Sequence, residues 1–409
     1  MKSSNDRRPA TCQETRPRRA AGQALSLGYP HEQSHSMAKN ELRFEEMAYP
    51  FWLGSHCAGA IADHLAGMVA SSLHVITDHT VNALHVKSFV RQLHTDCPIR
   101  VWSIPEGEEN KTLTTLETLA NQLLSVGVDR NSVIVAMGGG VVGNLAGLLA
   151  ALLFRGIRLV HIPTTLLAMS DSVVSHKQAV NMPQGKNLLG CYYMPEAVFA
   201  DTAFLMTLPA RHIRSGLCEI IKNVLIIEAQ EASPLAQALN PDAQYHEDAL
   251  IRIVRSGVRA KQKIMIHDRR EKRQALAFEY GHTVGHAIEL ACAGRLTHGE
   301  SVALGMIVAA EIASALGVLS PKAYDWHYRL LRLNGVDLRA PAGTTAEAVM
   351  QMLLSDNKRG YLRTAANEVP MILLQDMGVP LLNNEGIPLT PVSVDLIEAL
   401  LRKHLLHPC

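Results

Sequence analysis

The sequence has 409 residues, 47% of them apolar, with 39 Lys+Arg against 38 Asp+Glu. That length suits two packed domains that each bury a core, and a formal charge of +1 gives no electrostatic grounds for a nucleic-acid or anionic-membrane partner. The longest apolar run, residues 141–154, falls short of the roughly 20 residues a spanning helix needs, and seven scattered cysteines without a C-x-x-C pair predict free thiols in a reducing cytoplasm.

Residues 1–36 carry Lys2, Arg7, Arg8, Arg16, Arg18 and Arg19 among Ser, Gln and Pro, with no apolar core segment. They read as a disordered extension rather than a secretory signal, and ordinary globular sequence begins near Met37. Beyond residue 70, short β-branched runs predict strands at 73–77, 100–104, 132–137 and 157–162. Apolar residues at helical spacing predict helices at 113–126 and 144–154 between them. Strands alternating with helices indicate a parallel sheet of the dinucleotide-binding kind. After Pro209 the spacing turns helical, over 211–227, 249–266, 275–292 and 298–316. The expected fold is an α/β N-terminal Rossmann-like domain over 37–208 followed by an all-helical C-terminal domain over 209–409, with a minor hairpin formed by 371–374 and 379–382.

Chemistry-bearing residues fall in four places. Pro105-Glu106-Gly107-Glu108-Glu109-Asn110-Lys111 follows a strand and precedes a helix, which makes it either a solvated turn or a source of carboxylates for ribose hydroxyls. Gly138-Gly139-Gly140-Val141-Val142-Gly143-Asn144 joins a strand to a helix start, where free N–H groups and a partial positive charge receive a pyrophosphate. Such a run also serves as a tight structural turn, and the strand at 157–162 ends without the acid that a standard Rossmann dehydrogenase places against the ribose. Next, Arg155, Asp171, His176, Lys177, Asn181, Lys186 and Asn187 put cationic and amide groups close behind the glycine turn; Lys222 and Lys261 join them as candidates for a phosphorylated substrate. Last, Glu219 lies on an apolar helix, His282 and His286 share one helical face, and His298 opens a further helix. A carboxylate with two imidazoles suits a divalent ion with open positions, and His286 is placed to touch either ion or substrate.

Taken in order, P-E-G-E-E-N-K, M-G-G-G-V-V-G-N, R-G-I-R-L-V-H-I-P-T-T, G-K-N-L-L-G, C-E-I-I-K-N, E-Y-G-H-T-V-G-H and T-H-G-E resemble the sugar phosphate cyclase family, whose best-known members are dehydroquinate synthases. The resemblance implies a dehydroquinate synthase-like fold, tightly held NAD, a divalent metal (zinc or cobalt) and a homodimer. It implies metal ligation by Glu219, His282 and His298. It sets NAD against Asp78, Glu108, Glu109, Asn110, Lys111, Gly140, Val141, Val142, Gly143, Asn144, Thr164, Thr165, Lys186, Asn187, Phe204, Leu205, Met206 and Thr207. Lys177, Asn187, His286 and Lys358 would approach the phosphate, with Arg155 reaching across from a partner subunit.

Departures from the dehydroquinate synthase pattern choose the branch. Lys177-Gln178-Ala179-Val180-Asn181 replaces a Lys-Thr-Gly-Val-Asn segment, Glu279 stands where an Asn is usual, and Asp356-Asn357-Lys358-Arg359-Gly360 differs from the lysine-rich segment. These resemble the branch that cyclises glucose 6-phosphate to 2-deoxy-scyllo-inosose, at the head of 2-deoxystreptamine aminoglycoside pathways. A carboxylate at Glu279 would repel the carboxylate of a dehydroquinate synthase substrate, and Lys177 and Glu279 become the expected groups for positioning and proton transfer. The competing expectations are a dehydroquinate synthase and a metal-dependent polyol dehydrogenase of the glycerol dehydrogenase type. His176 stands where an apolar residue is expected.

Overall fold

The computed structural model describes residues 37–44, 47–354, 362 and 364–405. The 1–36 extension, Lys358 and the 356–360 segment lie outside the described residues.

Among the described residues, nine strands make up the first half: β1 (Ala38–Phe44), β2 (Met47–Gly54), β3 (Leu73–Asp78), β4 (Ile99–Ile104), β5 (Val133–Gly138), β6 (Arg158–Pro163), β7 (Lys177–Met182), β8 (Gly185–Tyr192) and β9 (Ala197–Asp201). Seven form one sheet in the order β1-β2-β9-β6-β5-β3-β4, parallel throughout except where β1 runs antiparallel to β2. β7 and β8 stand apart as an antiparallel hairpin. Every residue of β5 is buried, as a strand covered on both faces must be. Its alternate residues serve two cores. Val133, Val135 and Met137 join the core shared with the helical half, while Ile134 and Ala136 meet Leu116, Leu119 and Leu123 of helix Leu113–Ser125 and Leu145 and Leu149 of helix Gly140–Leu152. Parallel register brings the ends of β3, β5, β6 and β9, and hence Asp78, Gly138, Pro163 and Asp201, to one edge of the sheet.

The second half opens with helix Ala210–Ile226 and continues through Glu247–Met265, His282–Ala291, His298–Ala315, Pro321–Leu333, Ala346–Leu354 and Val394–His404. His298–Ala315 is buried on nearly every face, so it forms the axis of this half. Among the described residues no helix is long and apolar enough to cross a membrane.

Two expectations need correction. The helix expected over 275–292 is two elements, a 3-10 stretch Gln274–Glu279 and helix His282–Ala291, because Gly281 takes φ 76° and breaks the run. Residues 371–374 are not one hairpin strand: Glu368–Met371 pairs with Thr390–Ser393, and Leu374–Asp376 pairs with Val379–Pro380. These ribbons are short additions to an otherwise helical half. β1, β2, β9 and the β7–β8 hairpin have no counterpart in the sequence reading: β1 and the hairpin mix charged and amide residues with apolar ones, β9 is short, and Pro50 interrupts β2.

Candidate active site

Helix Ala210–Ile226 buries Glu219 to 1% exposure and sets Lys222 one turn later, where its Nζ donates to Glu219 Oε2 at 2.5 Å. The other oxygen, Oε1, is buried without a hydrogen-bond partner of good geometry. Two imidazoles face it, His282 Nε2 at 3.5 Å and His298 Nε2 at 3.4 Å. Ligands bonded to a tetrahedral ion of zinc size stand about 3.4 Å from one another, so each imidazole stands from the carboxylate as two ligands of one cation would. The ring tautomers fit as well. His282 Nδ1 faces the Tyr280 carbonyl at 3.1 Å and His298 Nδ1 faces Glu289 Oε2 at 3.2 Å; both acceptors draw the proton to Nδ1 and leave Nε2 free to ligate.

His286 belongs to the same cluster. The ring nitrogens of His282, His286 and His298 offer ligand atoms within 4.8 Å of one another. Burial, followed by the nearby Lys222 charge, pushes the His282 imidazole down to about 3. Burial also opposes a charge on His298, but the Glu219 and Glu289 carboxylates outweigh it and lift the group to about 10. Burial raises Glu289, yet the hydrogen bond from His298 and the Lys186 charge hold it well below the usual carboxylate range.

A cavity of about 1010 Å³ opens beside this cluster, with His286, Lys177, Glu271, Glu279, Asp171 and Lys186 in its wall, and Glu108, Glu109, Lys111, Asn144 and Asn187 toward the sheet. Lys177 starts β7 and bonds Glu271, while its Nζ lies 3.9 Å from Glu279 Oε1. Partial burial works against the ammonium; Glu271 and Glu279 overcome it and raise the group above the ordinary lysine range. Lys261 donates to Asp171 Oδ1 at 2.6 Å. Lys222 and Lys261 are thus each engaged with an acid at the site.

The sheet edge supplies the rest. Helix Gly140–Leu152 starts with no side-chain cap, leaving N-terminal N–H groups to a ligand. A Cβ at Gly140 would meet only Ser172 Oγ, at 4.0 Å, so that turn is open on its outer side. Asn144 donates to the Gly140 carbonyl and accepts from Ala179 N, tying the turn to the β7–β8 hairpin. The acid missing from β6 stands on β3 instead: Asp78, whose strand pairs directly with β5, accepts from Val81 N at 2.8 Å. Lys111 Nζ donates to Asn187 Oδ1 at 2.5 Å, and Asn181 Nδ2 to Glu108 Oε1 at 2.9 Å. Asn110 Nδ2 bonds the Glu106 carbonyl, and Glu109 folds over Gly107. Thr165 caps helix Leu166–Ser170, and the Thr164 hydroxyl is buried without a partner. Val142, Phe204 and Leu205 are buried, Val141 and Gly143 are half-buried, Met206 is exposed, and Thr207 bonds His85 at 2.8 Å.

With that geometry in view, comparison with known proteins decides the family. The chain matches the 3-dehydroquinate synthase N-terminal family over residues 101–215 and the 3-dehydroquinate synthase C-terminal family over 216–359. It is 46% identical over 368 residues to the 2-deoxy-scyllo-inosose synthase of Streptoalloteichus tenebrarius, covering 90% of this chain and 95% of the relative. The chain belongs to the sugar phosphate cyclase family of the 3-dehydroquinate synthase type. A crystal structure of 2-deoxy-scyllo-inosose synthase complexed with carbaglucose-6-phosphate, NAD+ and Co2+ superposes on this cyclase with a TM-score of 0.85 at 38% identity, covering 90% of this chain and 100% of that one. The 2-epi-5-epi-valiolone synthase ValA of Streptomyces hygroscopicus, with NAD+ and Zn2+ bound, follows at 0.75 and 26%, covering 88% and 97%.

Several expected site residues lie outside the wall of this cyclase's cavity, among them Asp78, Lys222, Lys261 and Arg155. Arg155 is exposed and lies beyond the far end of helix Gly140–Leu152, which at 1.5 Å per residue carries it roughly 20 Å from the glycine turn. His176, expected to be apolar, is buried edge-on to Tyr49 at 5.5 Å between ring centroids, and burial lowers it to about 4. Sequence reasoning passed over Glu289 and Glu271. Glu289 follows His282 and His286 at helical spacing, so its face was legible; Glu271 sits in a charged loop whose path no periodicity predicts.

Proposed function

We propose that the chain cyclises glucose 6-phosphate to 2-deoxy-scyllo-inosose with release of phosphate, as an NAD- and metal-dependent carbon–oxygen lyase of 2-deoxystreptamine aminoglycoside biosynthesis. The observation that carries this reading is Lys177 against Glu279 at 3.9 Å in the cavity wall, next to the Glu219–His282–His298 cluster. Curated relatives bearing the 2-deoxy-scyllo-inosose synthase name at 46% and 43% identity, and the solved relative holding carbaglucose-6-phosphate, NAD+ and Co2+, support it.

Glu219, His282 and His298 would hold a cobalt or zinc ion that would acidify sugar hydroxyls, and bound NAD would supply reversible hydride chemistry. The remaining work falls to the chain. The helix start at Gly140 and the acids Asp78 and Glu108 hold the dinucleotide at the sheet edge. Lys177, Asn187 and His286 bind and orient the phosphate end, with Arg155 contributed by a second copy of a homodimer. Glu279 moves protons at the sugar carbon chain, and Glu271 keeps Lys177 charged and aimed. Holding both ends of one sugar in one cavity makes the closing carbon–carbon bond an intramolecular event, which removes much of its entropic barrier. The 37–208 and 209–409 division belongs to this reading, as does a cytoplasmic location.

Incubation of purified protein with glucose 6-phosphate, NAD and Co2+ is expected to release phosphate and a carbocycle identifiable by mass and NMR, with no accumulation of NADH. Stoichiometric NADH refutes the cyclase reading in favour of a polyol dehydrogenase. Turnover only of the seven-carbon acid phosphate refutes it in favour of dehydroquinate formation.

A further inference from the structure

We infer that Glu289 is a positioning residue for the cation site and that Lys186 determines which way it acts. The inference rests on the reading of Glu219, His282 and His298 as cation ligands. Glu289 uses its two oxygens on two partners from different elements: Oε2 faces His298 Nδ1 at 3.2 Å, and Oε1 accepts from Lys186 Nζ of β8 at 2.7 Å. All three side chains are largely sheltered, Glu289 at 11% exposure, Lys186 at 24% and His298 at 31%. An ionised carboxylate only accepts, so His298 keeps a proton on Nδ1, and Nε2, 3.4 Å from Glu219 Oε1, is the nitrogen that gives up its proton to a cation.

An amide at this position would behave differently. The Lys186 ammonium has donors only and claims the carbonyl oxygen. The amide NH2 is then left facing His298 Nδ1. Facing a donor, Nδ1 becomes the acceptor, the ring proton moves to Nε2, and that N–H points into the space a cation needs. The damage from Glu289→Gln therefore depends on Lys186. With the lysine removed, the amide can turn over and offer its oxygen to Nδ1.

The test is Co2+ titration of NAD-free protein against a chelator, with the visible absorption of bound cobalt as a second readout. Glu289→Gln is expected to weaken Co2+ binding by about 10- to 100-fold, and Lys186→Met to change it by less than about threefold. The double variant should recover to within about threefold of Lys186→Met. Glu289→Gln binding as wild type does, or a double variant as weak as Glu289→Gln, overturns the proposal. Failure of the wild type to bind Co2+ instead refutes the cation-site reading beneath it. If Glu289→Gln alone does not fold, Lys186→Met/Glu289→Gln is compared with Lys186→Met/Glu289→Leu. Only the former keeps an acceptor for Nδ1 and should bind Co2+ at least about tenfold more tightly; equal affinities overturn the proposal.

Discussion

Replacing Gly305 by alanine should separate two helices that must touch for the cation site to exist. Helix His298–Ala315 crosses helix His282–Ala291 where Gly305 meets Gly281 and Gly285: a Cβ at Gly305 would stand 1.9 Å from the Gly281 carbonyl oxygen and 2.7 Å from Gly285 N. Ordinary contact begins at 3.4 Å, so backbone must retreat from backbone by about 1.5 Å. No side-chain rotamer can absorb that. His282 adjoins Gly281, and His298 opens the helix that carries Gly305 two turns later. Coordination tolerates about ±0.2 Å, so even a fraction of the displacement spoils the Glu219–His282–His298 spacing. We expect a loss of about 3 kcal/mol in folding stability, the upper end for overpacking, and a roughly 100-fold loss of Co2+ affinity. Denaturant unfolding and chelator-competed Co2+ titration measure the two. Gly59→Ala, where a Cβ meets only Gln92 Oε1 at 3.9 Å, is the control and should be neutral or slightly stabilising. Gly305→Ala protein that unfolds within about 1 kcal/mol of wild type and binds Co2+ equally well would refute the close-crossing argument.

Gly140→Ala should leave folding intact, since a Cβ there meets only Ser172 Oγ at 4.0 Å, yet weaken NAD binding about tenfold by holding the pyrophosphate off the helix start. An unchanged NAD affinity in a fluorescence titration would move the dinucleotide elsewhere. Glu279→Gln should slow phosphate release from glucose 6-phosphate by about 100-fold or more while leaving Co2+ affinity near wild type; a rate within a few-fold removes the proton-transfer role. In the metal-free protein His298 is raised from 6.5 to about 10, so its proton stabilises the fold fully below about pH 6.5 and that contribution fades as pH rises through 10. A bound cation must displace this proton, so Co2+ affinity should climb about tenfold per unit between pH 7 and 9, and a flat profile would refute the assignment of His298 as a ligand.

What the sequence determined by itself was local. Period-2 and period-3.6 apolar spacing, the glycine run after a buried strand, and two histidines four residues apart on one helix are all written within short windows. Their elements form close to where the spacing sets them: Leu113–Ser125, Val133–Gly138 and His298–Ala315 lie within a few residues of expectation. The break at Gly281 escaped because periodicity carries through it, while a positive φ is decided by the packing of Val302 and Met306 against that glycine. Tertiary structure alone decided which distant groups meet. Asp78 comes level with the glycine turn because β3, and not the next strand in sequence, lies beside β5 on that flank. Glu219 finds His282 and His298 because small residues let three helices approach closely. Lys177 meets Glu279 because the hairpin folds over the helical half. Side-chain type and spacing show what chemistry a segment can do, whereas distances between segments are set by long-range packing, and a site built from several segments becomes visible only once that packing is known.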